Sequence, residues 1–93
     1  MNDFTFQAAS ISRGALTLFE RDNAAAALSE LKQAGLRILG ADKFILWNDG
    51  GFQPIDQIDL SNQTDFSLAY DAVGSFIMAP DERPGILFEL VWN

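Results

Sequence analysis

The sequence predicts an α+β fold: two helices packed on one face of a mostly antiparallel sheet of about four strands. Three observations carry this. Apolar residues alternate with period two near both ends, at residues 3–9 and 86–92. Two internal stretches instead place apolar residues at helical spacing, Ala24 to Ala34 and Phe66 to Ile77. Between them, Asn48-Asp49-Gly50-Gly51 separates two β-rich runs, and Asp-Gly at the centre signals a hairpin turn. Ninety-three residues with 48% apolar content suffice for one domain, residues 1–93, around one modest core.

Taken in order, DFTFQAA at 3–9 puts Phe4, Phe6 and Ala8 on one side and Asp3, Thr5 and Gln7 on the other, which is a strand pattern. Gly14–Glu20 fits either a strand or the approach to the next helix. Asp22 is a candidate N-cap for the helix NAAAALSELKQA, whose stripe is Ala24, Ala27, Leu28, Leu31 and Ala34. Gly35 supplies its stop, since glycine takes the left-handed conformation freely.

Leu36–Leu39 and Phe44–Trp47 are two short β-rich runs. Phe52–Ile55 returns after the turn. Pro54 lacks an N–H, so that strand is short or lies at an edge. In the second helix Phe66, Ala69, Tyr70, Val73 and Ile77 share a face, with Thr64 or Ser61 as cap. Gly74 weakens it, and Pro80 ends it before the turn PDERPG. In ILFELVW, Ile86, Phe88, Leu90 and Trp92 face one way, Leu87 and Val91 the other, which suggests a central strand. An alternative pairs 75–79 with this run as a hairpin and shortens the second helix.

The charge is one-sided. Net charge is -7, and residues 1–43 balance five acids with five bases, so the excess lies wholly in 44–93. After Lys43 no Lys or Arg occurs before Arg83, while seven acids fall between them. Phosphate contacts need Lys and Arg, so direct nucleic-acid binding is not expected, nor is an anionic membrane surface. No uncharged run approaches the ~20 residues that span a bilayer. Met1-Asn2-Asp3 lacks the basic start of a signal peptide. The expectation is a soluble protein of a bacterial host cytoplasm.

The chain has no His and no Cys, which removes the usual neutral-pH base, the thiol nucleophile and the common zinc ligands. No enzyme and no cofactor is expected. Asp59, Ser61, Gln63 and Asp65 space like the start of a calcium loop, but Thr64 stands where glycine belongs and Tyr70 where the bidentate Glu belongs, so no metal is expected. Two carboxylate pairs, Asp56 with Asp59 and Asp81 with Glu82, could work as acid and base if burial separated their pKa values. Their Pro, Gln and Ser neighbours place them in solvated loops. A small carboxylate metal domain or enzyme is thus one alternative. A solvated acidic face with no further role is the bland one.

A single-sign segment instead steers a positive partner, and its carboxylates can imitate phosphates. The candidate partner-binding residues are Asp49, Asp56, Asp59, Asp65 and Asp71, with Trp47 or Phe52 as an apolar anchor at the hairpin tip.

Two resemblances point the same way. Ala15–Pro54, with an Ala/Leu helix, then Ile38-Leu39-Gly40-Ala41-Asp42, a strand and an acidic Gly turn, resembles the core of small immunity proteins from bacterial polymorphic-toxin systems. That family more often has a second glycine at Ala41 and an aromatic-rich segment where this chain has IDQIDLS. The resemblance implies an α+β inhibitor that plugs a toxin. In size and charge alone, the chain is similar to phage-encoded anti-CRISPR proteins. The expected function is a non-enzymatic acidic inhibitor of a basic nucleic-acid-handling protein, of the anti-CRISPR type. The partner would be a CRISPR effector complex or, in the alternative, a nuclease toxin met by an immunity protein.

Overall fold

The computed structural model describes residues 4–93. Seven elements follow in order: β1 (Ile11–Arg13), β2 (Leu16–Leu18), α1 (Arg21–Gln33), β3 (Ile38–Leu46), β4 (Phe52–Asp59), α2 (Phe66–Met78) and β5 (Ile86–Trp92). All strand pairs are antiparallel, in one sheet of order β4-β3-β5 and a separate β1-β2 hairpin. The α+β class stands. The single sheet of about four strands does not: it has three, and the chain beyond β2 joins β5 at one residue pair. There Phe19 and Phe88 exchange both backbone bonds at 2.8 Å.

The main core lies between the helices and the sheet. Ala24, Ala27, Leu28 and Leu31 of α1 meet Ala69, Tyr70, Val73 and Ile77 of α2 over Ala41, Phe88 and Leu90. The opposite face carries a smaller cluster of Leu18, Phe44 and Leu87, roofed by the β1-β2 hairpin. This double cover explains why ILFELVW is apolar on both faces. The central strand, however, is β3, not β5. The two runs expected at Leu36–Leu39 and Phe44–Trp47 are one continuous strand. Asp42 and Lys43 interrupt the apolar pattern without ending the ladder, because the backbone bonds do not depend on side-chain polarity.

α1 begins two residues earlier than expected. Glu20, not Asp22, holds the N-cap position, and its carbonyl accepts from Ala24 at 2.7 Å. Asp22 sits in the first turn, where its charge still suits the helix dipole. Gly35 ends the helix at φ +75°, with Leu36 N–H bonding Leu31 O at 3.2 Å and Gly35 N–H bonding Lys32 O at 3.0 Å, a Schellman closure. Ala34, the last member of the predicted stripe, is exposed.

α2 is capped by Asp65, not Thr64 or Ser61: Asp65 Oδ1 accepts from Leu68 N–H at 2.9 Å. It runs unbroken to Met78, so residues 75–78 are helix, Ala79 is its C-cap, and no hairpin arm forms there.

The strand expected at 3–9 is not formed over the described residues 4–9; Asp3 lies outside them. Phe4, Phe6 and Ala8 do turn inward and Thr5, Gln7 and Ala9 outward. The N–H groups of Gln7 and Ala8, where the chain bends, go to the Glu30 carboxylate, at 2.6 and 2.9 Å, so this segment is tied to a helix side chain rather than to a ladder.

Asp49-Gly50 does lie in the β3-β4 hairpin turn, but not in the two-residue type I′ form that Asp-Gly favours. Asp49 has no positive φ; Gly50 alone takes it, at +89°, in a three-residue loop closed by Gly50 N–H on Trp47 O. β4 is an edge strand but eight residues long. Pro54 pairs with Phe44 and Asp56 with Lys43, so a bulge absorbs Ile55.

Candidate functional site

All five candidate acids are exposed. Four are held in place by their own backbone. Asp49 Oδ1 accepts from Gly51 N–H (2.9 Å), Asp56 Oδ1 from Gln57 (2.8 Å), Asp59 Oδ1 from Ser61 (2.9 Å) and Asp65 Oδ1 from Leu68 (2.9 Å). The backbone and hydroxyl of Ser61 together hold the Asp59 carboxyl below the usual carboxylate range. In Asp49, Asp56 and Asp65 the other oxygen, Oδ2, has no hydrogen-bond partner among the described residues. Asp71 is exposed on α2 and, with Tyr70, lines a shallow groove against Leu28, Ser29 and Lys32 of α1.

These residues are spread over the β3-β4 turn, β4, the loop after it and α2 rather than gathered at one point. β4 is the edge strand, and α2 packs over β3 while α1 packs over β5. β4 spans roughly 25 Å at its per-residue rise, with Asp49 beyond its start and Asp59 at its end. The loop after β4 brings Asp59 and Asp65 to the same end. Trp47 is 49% exposed at the hairpin tip, its Nε1 donating to Gln53 Oε1 at 3.3 Å. Phe52 is half-buried and packs on Phe44, ring centroids 5.5 Å apart, within the smaller core.

Four of the six bases are engaged inside the fold, which leaves the acidic side with little internal neutralisation. Arg21 donates to carbonyls at the end of α2. Arg37 donates to Ser61 O at 2.7 Å and Gln63 O at 3.4 Å, the one cation set against the acidic loop. Lys43 and Arg83 both pair with Asp81, at 3.4 and 2.8 Å. The expected solvated pair Asp81–Glu82 is therefore not one. The Asp81 side chain is only 9% exposed, and Arg83 above all, then Lys43, holds its carboxyl well below the usual range. Lys43 is buried against the rings of Phe76 and Phe88.

The calcium-like spacing at 59–65 does not gather ligands. Asp59 and Gln63 spend their oxygens on Ser61 and Asp65 N–H groups, and among the described residues no three metal-binding acids come together. No described helix is long and apolar enough to cross a membrane.

The chain matches no family model, no curated protein and no solved structure. Its chemistry is read from its own residues.

One feature escaped the sequence pattern. Between β2 and β5 a cleft of about 650 Å³ opens, lined by Phe4, Phe6, Thr17, Glu89 and Trp92 among others. Glu89 stands opposite Asp42 across the β3-β5 ladder. Burial, then the Asp42 carboxylate, raises its pKa above the ordinary value. The signal was available: Glu89 is the one acid inside ILFELVW, on the face of Leu87 and Val91.

Proposed function

We propose that this chain is a non-enzymatic acidic binding protein that inhibits a basic, nucleic-acid-handling protein by occupying its cationic surface. The observation that carries the reading is the set of exposed, locally anchored carboxylates, Asp49, Asp56, Asp59 and Asp65, each with an oxygen tied to neighbouring backbone. Anchored anions lose less side-chain entropy on meeting Lys and Arg than flexible ones do. Spread along β4 and the start of α2, they present negative charge over a length comparable with a stretch of nucleic-acid backbone. Trp47 supplies an exposed apolar anchor at the hairpin end.

The setting we favour is that of an anti-CRISPR-type inhibitor acting on a CRISPR effector complex in a bacterial cell. A second reading, an immunity protein against a nuclease toxin, is favoured by the pattern over Ala15–Pro54. The two settings share the same surface and differ in target.

Capture from cells carrying CRISPR effectors tests the reading, at low salt and again at about 0.5 M, where the Debye length is about 4 Å. A basic nucleic-acid-binding protein that is captured and then released by salt is the expected result. Reversal at Asp49, Asp56 and Asp71 to Lys should abolish capture with the circular dichroism spectrum unchanged; Asp65 is left alone because it caps α2. Undiminished capture by the triple variant would return these acids to a solvated face.

A further inference from the structure

The cleft between β2 and β5 has backbone edges for walls. Phe19 and Phe88 exchange both of their bonds, so the N–H and C=O of Phe88 point away from β3. Backbone groups alternate in direction along a strand, so those of Leu90 and Trp92 point the same way. Across the gap, Thr17 of β2 lies on the side that Phe19 continues, and Ala15 of the preceding turn also lines the opening. Yet the ladder stops after one pair. No backbone bond joins Leu90 or Trp92 to β2 among the described residues, although Leu90 is buried. The strands splay, and the 650 Å³ opening lies between them, a size suited to a ligand or short peptide segment rather than an ion.

The opening is chemically two-sided. Phe4 and Phe6 line its inner side, and Phe6 packs edge-on against Phe19 and Trp92 at 5.0 and 5.4 Å. On the outer side stand Glu89, facing Asp42 across the ladder, and Val91, which is 40% exposed. One feature on each side is left unbalanced. On the inner side the Trp92 Nε1–H is buried with no acceptor among the described residues, and an unpaired buried donor favours a guest that brings one. Two facing carboxyls repel until a cation arrives.

We propose that this slot takes an extended basic peptide strand from a partner protein. The strand pairs with the β5 edge at Leu90 and Trp92, turns apolar side chains inward onto Phe4 and Phe6, and sets Lys or Arg beside Glu89. Unpaired edge groups recognise the main chain, and the acid pair selects the positive residue. This site is separate from the acids of β4 and α2 and does not depend on their having a basic partner.

The test titrates the isotope-labelled full chain with acetyl-Arg-Val-Arg-Val-amide and follows backbone amide signals. The expected result is saturable shifts at Leu90 and Trp92, together with the Trp92 indole N–H. Methylating both valine amide nitrogens, which removes the strand bonds, should weaken binding at least about tenfold. Glu89→Gln should weaken the arginine peptide by about tenfold and leave acetyl-Gln-Val-Gln-Val-amide unaffected. Shifts confined to Asp49–Asp71, equal binding of the methylated peptide, or no binding at all would each overturn the proposal. The first of these would leave the acidic-surface reading standing.

Discussion

Arg21, the first residue of α1, donates its Nε to the main-chain carbonyl of Ile77 in the last turn of α2, 3.0 Å away. Its Nη2 reaches Ala79 O at 3.1 Å. α2 has no basic residue in its own last turn, so α1 lends the cation that satisfies its orphan carbonyls. Arg21→Met should therefore lower unfolding stability by about 1–2 kcal/mol in urea titration. Arg21→Lys should recover only part of that, because an ammonium cannot reach two carbonyls with a rigid fork. A change of only a few tenths would mean that water serves those carbonyls equally well.

Gly40 and Gly74 should respond in opposite directions to alanine. Gly40 has φ +155°, and a Cβ there would collide with the Ile58 carbonyl where β4 crosses. Gly40→Ala should cost more than about 2 kcal/mol. Gly74 sits in α2, and its added Cβ meets Leu28 Cδ2 at an ordinary 3.9 Å. Gly74→Ala should add about 0.5–1 kcal/mol. Melting temperatures of the two single variants decide both.

Breaking the Lys43–Asp81 pair should depend on which partner is removed. Lys43→Met puts an apolar chain between Phe76 and Phe88 and leaves Asp81 with Arg83, so stability should change by less than about 1.5 kcal/mol. Asp81→Ala leaves a buried ammonium without an anion and should lower the melting temperature further than Lys43→Met does. Equal losses would show that the pair is not the relevant contact.

Glu89 carries the pH dependence that differs from ordinary acid denaturation. Its folded pKa is raised, so the ionised form destabilises the fold, and that penalty disappears as pH falls toward the ordinary value of 4.5. Glu89→Gln should melt higher than the natural chain at pH 7, with the difference closing as pH approaches about 4.5. A difference constant across that range would assign the effect to packing instead of charge.

Both helices were legible in the sequence because their partners are encoded in spacing: Ala24, Ala27, Leu28 and Leu31, then Ala69, Tyr70, Val73 and Ile77, are all buried. The strands were less so, because alternation records which side faces inward but not which chain supplies the bonds. Phe4 to Ala8 alternate correctly, yet Glu30 takes the N–H groups that a neighbouring strand would have used. Lys43 read as a break in an apolar run because its partner, Asp81, lies 38 residues away. The exposed acids could be found from composition, and the Asx-type spacing of Asp59 with Ser61 is local. The slot could not, since it arises from the divergence of β2 from β5 after the single pair at Phe19.

The bulge and proline in β4 have a consequence for how many molecules could join through their sheets. Runaway stacking of copies, edge to edge, needs two receptive edges on every molecule. Pro54 offers no N–H, and the bulge at Ile55 breaks the regular spacing that a neighbour would follow, so one side of the sheet is blunted. The other side is receptive only over the short reach past Phe88. A copy that docks a strand there meets no equally receptive edge on β4, so this three-stranded sheet favours a single guest over head-to-tail stacking through β4.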